Sequence, residues 1–303
     1  MTQLRNVGVT PEMVATRLRA GSLLRLRRGV FLAAAAWPED PSARHLALAR
    51  AELVANPAAV LSHQSAAVAW GLPSPGFDRW CEQPVSVTLP AGAGHGSQSR
   101  AGVHHVAGLP AEQVTRDPAG WPVTSLARTA IDLVRGRPLP EALVILDAAA
   151  RKLCEGFVAS PRRSDYSNPQ LVRAARDQLL GASSRPAPAI SEAIAATESA
   201  RESAAESLSA GHFRLAGLPT PVFQARIDTP SGVFFPDCYW PEHNLVGECD
   251  GAVKYKDGEA YVQEKWREQV LRDLEFRMVR WLAREIMSEP WVVVKRVARA
   301  LGF

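Results

Sequence analysis

Two carboxylates one residue apart, Glu248 and Asp250, end the apolar run Leu245-Val246-Gly247 just before Gly251. Side chains alternate along a strand, so these two acids point to one face. A third acid, Asp237, closes the preceding run Phe234-Phe235-Pro236 and reaches that face if the two runs pair as a hairpin. Three convergent carboxylates repel one another unless a cation lies between them. No other feature constrains the fold as much. Two strand ends must meet, and the ion such a set suits is a hard one that takes oxygen ligands.

The surrounding pattern supplies the rest of a domain. Glu206-Ser207 opens a helix carrying Leu208, Phe213 and Leu215, which Gly217-Leu218-Pro219 closes. Residues 221–227 read as a strand, and a turn at Pro230-Ser231-Gly232 returns the chain into 233–240. A helix is predicted over 259–274, with Val262, Trp266, Val270 and Leu274 as its buried stripe and Glu264, Glu268 and Asp273 in solvent. A strand at 276–281 and a helix at 290–301 complete the order helix, three-stranded meander, helix, strand, helix.

At the other end, Thr10-Pro11-Glu12 has the signature of a helix start: a hydroxyl cap, a proline in the first turn and an acid at the positive end. Residues 23–32 then alternate like a short hairpin, with Gly29 near its turn. Residues 1–30 hold six arginines and one acid, Glu12; six minus one is a local excess of five positive charges. A helix followed by a small basic hairpin is the economy of a winged helix. Arginines so placed neutralise DNA phosphates, and Arg17, Arg19, Arg25, Arg27 and Arg28 are the expected contacts to duplex DNA. The alternative is a solvated basic face on a dimerisation element.

Between these ends, residues 36–160 read as a mixed α/β region. Ser42 caps a helix through Val54, a helix over 62–71 ends at Gly71, and strands fall at 84–90 and 102–106. Further helical signals lie at 123–134 and 139–153. His63, His104 and His105 are read as structural, because neighbours in a strand face opposite ways and do not share an ion. Linker-like segments at 161–165 and 181–188 flank a helix at 169–180, and another helix begins at Ser191. The division expected is therefore 1–35, 36–160, 161–200 and 201–303 in a multidomain α+β or α/β chain of 303 residues. Cys81, Cys154, Cys238 and Cys249 form no CxxC pair, which excludes a zinc knuckle and a disulfide scaffold and points to the cytoplasm. No apolar run is long enough to span a bilayer, so no membrane partner is expected.

Two resemblances add to this reading. Gly8-Val9-Thr10, Arg17-Leu18-Arg19-Ala20-Gly21 and Leu24-Arg25-Leu26-Arg27-Arg28-Gly29-Val30-Phe31 resemble the N-terminal domain of AbiEi-type antitoxins of type IV toxin–antitoxin systems. Those proteins bind their own promoters through a winged helix, which implies duplex DNA as a partner and a cognate toxin as another. His63-Gln64-Ser65-Ala66-Ala67 and Val123-Thr124-Ser125-Leu126-Ala127-Arg128-Thr129 recur in proteins that join this domain to a nuclease-like tail.

The second resemblance is to the PD-(D/E)XK nuclease superfamily, in the branch like very-short-patch-repair endonucleases. It is carried by Glu206-Ser207-Leu208, Pro236-Asp237, Trp240-Pro241, Leu245-Val246-Gly247-Glu248-Cys249-Asp250-Gly251, Lys254-Tyr255, Glu264-Lys265-Trp266 and Val279-Arg280-Trp281. It implies a restriction-endonuclease-like three-layer domain that hydrolyses DNA phosphodiesters with Mg2+ or Mn2+. Asp237 and Glu248 would hold the ion, with Glu206 adding a carboxylate from the leading helix. The family pattern places a lysine two residues after the glutamate, where this chain has Asp250, either a further metal ligand or the mark of a degenerate site. Lys254 and Lys265 are the two lysines available for the missing role. Two functions follow: a DNA-directed metal-dependent endonuclease, or an AbiEi-like transcriptional regulator whose nuclease-like domain is catalytically silent.

Overall fold

The computed structural model describes residues 6, 8–92, 97–98, 102–158, 166–183, 185–251, 266 and 268–303. The fold is mixed α+β in two compact units, residues 1–72 with 78–132 and residues 73–77 with 133–303. The limits expected near 160 and 200 both fall inside the second unit. The reason is long-range packing: helix α5 (Leu139–Cys154) lies along helix α8 (Ala204–Leu215), so a segment assigned to the middle of the chain packs with its C-terminal part.

In the first unit, α1 (Pro11–Arg19) starts where Thr10 Oγ1 accepts from the Met13 N–H at 3.3 Å. Strands β1 (Leu23–Arg27) and β2 (Val30–Ala33) pair antiparallel, and Gly29 turns between them at φ +80°. Helix α2 (Pro41–Ala55) is capped by Asp40 rather than Ser42, with Asp40 Oδ2 accepting from Ala43 N–H at 2.7 Å. Pro41 occupies the first helical position, so the cap is the residue before it. Helix α3 (His63–Trp70) ends at Gly71 in the left-handed region, φ +63°.

The sheet of this unit has six strands in the order β5-β6-β4-β3-β8-β7. They are β3 (Val60–Leu61), β4 (Val85–Leu89), β5 (Ser97–Gln98), β6 (Gly102–Val106), β7 (Val114–Arg116) and β8 (Pro122–Thr124). The sheet is mixed: β4/β6 and β3/β8 run parallel, the other pairs antiparallel. Strand β4 is buried along its whole length, and Val85, Val87 and Leu89 form the core with Leu53, Leu61 and Val123. Helix α4 (Leu126–Val134) follows β8.

The second unit adds α6 (Pro169–Gly181), α7 (Pro188–Ala195) and α8 before a four-stranded sheet of order β14-β13-β12-β9. Its strands are β9 (Val222–Phe223), β12 (Cys238–Trp240), β13 (Leu245–Asp250) and β14 (Arg277–Leu282), with only β13/β14 parallel. A separate ribbon pairs β10 (Ile227–Thr229) with β11 (Gly232–Phe234). The runs 221–227 and 233–240, each read as one strand, are each broken: the first at Gln224, whose φ is +50°, the second between Phe234 and Cys238. Helices α9 (Ala283–Ser288) and α10 (Pro290–Leu301) end the chain, and α9 was not anticipated.

The predicted stripe of the helix before β14 is met in part: Val270 packs against the core, and the rest of the stripe is out of phase. Val262 lies outside the described residues. Trp266 and Leu274 are exposed, and Leu271 fills the core with Ile227, Phe234 and Val246. The other face of the sheet meets α8 through Phe213, whose ring centroid lies 5.5 Å from Trp281 and 6.1 Å from Trp240. Both indoles are satisfied, Trp281 donating to Ser209 Oγ at 2.9 Å and Trp240 to the Pro219 carbonyl at 2.7 Å. Among the described residues no helix is long and apolar enough to cross a membrane.

The α5–α8 contact gives a direct test. A Cβ on Gly211 would sit 2.4 Å from Pro140 Cα, against backbone that cannot swing aside. Gly211→Ala is expected to destabilise the protein by roughly 1–3 kcal/mol, the usual range of overpacking, seen as a lower denaturation midpoint. A midpoint equal to wild type means the helices are not held at this distance.

Candidate functional site

Asp237 stands immediately before β12, where the ladder to β13 ends at Cys238–Gly247. Its Oδ2 accepts from the Cys249 N–H at 2.8 Å, so a side chain takes the next bond along β13. Its Oδ1 accepts from Gln224 Nε2 at 3.0 Å. The same amide nitrogen lies 3.4 Å from Oε2 of Glu206, at the third position of α8. Ser203 caps this helix and donates its hydroxyl to Glu206 Oε1 at 2.8 Å, while the Glu202 N–H donates to Oε2 at 3.0 Å. Residues far apart in sequence thus put two carboxylates on one buried amide.

The electrostatic cost is visible. Glu206 is only 7% exposed. Its pKa is pushed up to about 7, first by burial and then by the charge of Asp237, against the pull of the Glu202 N–H and Ser203. Burial, then Asp237 and Glu206, raise the Cys238 and Cys249 thiols, which stay protonated and are poor nucleophiles.

Alternation along β13 turns Gly247 and Cys249 toward α8 and puts Glu248 and Asp250 on the face of Val246. Glu248 is half-buried there, in register with Arg280 of β14. Asp250 departs from the metal-ligand expectation. Both its oxygens are held in a fork by Arg280, Oδ1 by Nη2 at 2.7 Å and Oδ2 by Nε at 2.8 Å. Arg280 Nη1 also lies 3.4 Å from Glu268, which places Glu268 in an ion-pair network and not in free solvent. The three acids Asp237, Glu248 and Asp250 do not gather as one set: among the described residues no three His, Cys, Asp or Glu side chains form a metal-binding group. Lys254 and Lys265 lie outside the described residues.

The arginines of the first unit divide by what they touch. Arg17 and Arg19 end α1, and Arg28 stands at the turn of the β1–β2 hairpin. Arg25 lies over the Phe31 ring, 5.7 Å from its centroid. Arg27, expected on DNA, is instead paired with Glu52 of α2. Glu52 is 8% exposed and also accepts from His104 Nε2 at 2.8 Å, so a buried acid claims both groups. His63 and His105 stack with centroids 3.7 Å apart. The sequence reading missed Gln224, Glu52 and Arg280. Only Gln224 carried a local signal, a lone amide in the apolar run Pro221-Val222-Phe223.

No family model matches this chain. It is similar to two proteins of Mycobacterium tuberculosis described as uncharacterized, one from strain CDC 1551 / Oshkosh and one from strain ATCC 25618 / H37Rv. Each is 27% identical over 201 residues, covering 66% of this chain and 67% of the relative.

The raised pKa of Glu206 predicts a pH dependence with a definite sign. Between its ordinary value of 4.5 and about 7 the folded state keeps a proton that the unfolded chain has released. This contribution to stability is therefore full below that window and lost as pH rises through it. Denaturation midpoints across the window should fall for wild type relative to Glu206→Gln, whose curve lacks this component. Parallel curves would show that Glu206 ionises normally.

Proposed function

We propose that the chain is a DNA-binding protein whose C-terminal region is a PD-(D/E)XK-like, divalent-cation-dependent endonuclease domain hydrolysing DNA phosphodiesters. Its first helix and hairpin, a winged helix of the AbiEi-antitoxin type, dock on duplex DNA. The observation that carries this reading is the pairing of Glu206 with Asp237 on the buried amide of Gln224. Like charges forced together inside a protein favour a cation between them.

The residues present fit such an ion. The donors at hand are oxygens, as Mg2+ and Mn2+ prefer. Gln224 Oε1, in the same small group, is buried with no hydrogen-bond partner among the described residues. Asp237 and Glu206 would hold the ion; Glu248, which the resemblance implied as a ligand, lies on the other face of β13 with Val246. A bound divalent cation supplies a Lewis acid for the scissile phosphate and an acidified water. The chain's own acids orient that ion, and Arg17, Arg19, Arg25 and Arg28 hold the DNA by its phosphates. Arg27 supports the hairpin through Glu52 instead.

A specific observation favours the second reading, an AbiEi-like regulator with a silent nuclease-like domain and a cognate toxin as partner. The position where the family pattern has lysine is Asp250, and its charge is already consumed by Arg280. One experiment separates the two. Full-length protein with Mg2+ or Mn2+ is expected to nick supercoiled plasmid. Asp237→Asn and Glu206→Gln should each lower the rate at least 100-fold, about 2.7 kcal/mol of barrier, while retaining DNA. Intact plasmid with wild type, together with salt-sensitive DNA retention that weakens in Arg25→Ala/Arg28→Ala, establishes the silent regulator instead.

A further inference from the structure

We propose that Gln224 is the positioning residue of the Glu206–Asp237 pair: its Nε2 holds both carboxylates in place, and its Oε1 accepts a hydrogen from water on the bound cation. This rests on the cation reading of the site given above.

The placement is costly and over-determined. Gln224 breaks the run between β9 and β10 at φ +50°, a left-handed backbone that disfavours any side chain with a Cβ. It is held there by its neighbours. Phe223 lies under the Arg201 guanidinium, 4.3 Å from its ring centroid. Arg201 is itself fixed by Asp147 at 2.5 Å and by the Ala196 carbonyl at 3.0 Å. On the other side, Ile227 enters the apolar cluster with Phe234 and Val246. Residues on both sides of Gln224 are therefore anchored, and the strained residue between them has little freedom to relax.

The chemistry of the side chain fits the position. A carboxamide has two N–H hydrogens, one for each acid. Its oxygen cannot face two carboxylates, so the orientation with Nε2 toward them is dictated by charge. That leaves Oε1 as an acceptor in a residue only 1% exposed, without a partner among the described residues. An unmet buried acceptor is destabilising, and it is satisfied by a donor. Water on a divalent cation is a strong donor with no competing need to accept. Glutamate here would add a third negative charge, and methionine would match the shape while removing both hydrogen-bonding functions.

The experiment uses the full chain and Mn2+ alone. Calorimetric titration and the Mn2+-induced rise in melting temperature are compared for wild type, Gln224→Met and Gln224→Glu. NMR titration of the Glu206 carboxyl is followed in all three without metal. Gln224→Met is expected to bind Mn2+ 10- to 100-fold more weakly, the usual loss when a group orienting ligands is removed. Its Glu206 should titrate at higher pH than in wild type, because a donor to the carboxylate is gone. Gln224→Glu, nearly identical in shape, should have a lower melting temperature at neutral pH and a larger Mn2+-induced rise than wild type. Wild-type Mn2+ affinity in both variants overturns the role of Oε1, and an unmoved Glu206 titration overturns the role of Nε2. If wild type itself binds no Mn2+, the cation reading and the role of Oε1 fall together, and the NMR titration alone decides whether Gln224 positions the pair. If Gln224→Met does not fold, the Gln224→Glu arm gives both readouts.

Discussion

Gly247 has no room for a side chain. A Cβ there would lie 2.9 Å from the Trp240 ring and 3.1 Å from that of Trp281. The two indoles come from the strands on either side and close over β13 against Phe213 of α8. Only one register lets two tryptophans cover a glycine, and a slip by one residue would exchange the faces of β13. Glu248 would then turn toward α8 and Cys249 toward the Val246 cluster. The carboxylates inherit their places from this packing. Asp237 stands three residues before Trp240, and Glu248 follows Gly247 directly. The position of the acids is thus set by an aromatic contact that involves none of them.

What the sequence makes legible is what local chemistry decides. The cap at Thr10, the left-handed turn at Gly29, the stop at Gly71 and the buried strand at 85–89 all follow from a few adjacent residues. The paired acids of β13 were legible for the same reason, since alternation alone puts Glu248 and Asp250 on one face. Phase and partnership were not. Both Leu271 and Leu274 suit a helix face, and only the presence of Ile227, Phe234 and Val246 selects Leu271. Arg280 lies 30 residues from Asp250 in sequence, and His104 lies 52 from Glu52. Nothing local to either acid announces such a partner. The break at Gln224 was invisible for a different reason. Its neighbours are good strand formers, and the strained conformation is imposed by what Phe223 and Ile227 pack against.

The acids of the second unit differ in what balances them, and this separates their roles. Asp250 is matched by a permanent cation in a two-bond fork, an arrangement that is self-contained and geometrically specific. Glu206 and Asp237 share an uncharged amide and backbone N–H groups, and burial first, then the charge of Asp237, still raises the pKa of Glu206. A fork of this kind resists outside ligands, because binding one means giving up two charge-assisted bonds. A repelling pair invites them, because a cation relieves an unfavourable term already present in the folded state.

The same contrast bears on the two functional readings. A domain kept only as a scaffold gains nothing from an unrelieved pair of buried acids, since replacing such a pair by packed neutral side chains is commonly neutral or stabilising. The strain at Gln224 adds to that cost, and Arg201 and Ile227 on either side keep it from relaxing. Costs concentrated on one small group of side chains are characteristic of sites that bind, where the ligand supplies the compensation the fold withholds. In the nuclease reading Asp250 stands where the pattern has lysine, on the face of β13 that it shares with Glu248 and opposite Cys249 and α8. In that reading the cation would be held at Glu206 and Asp237, which share Gln224 and make none of the bonds between Asp250 and Arg280.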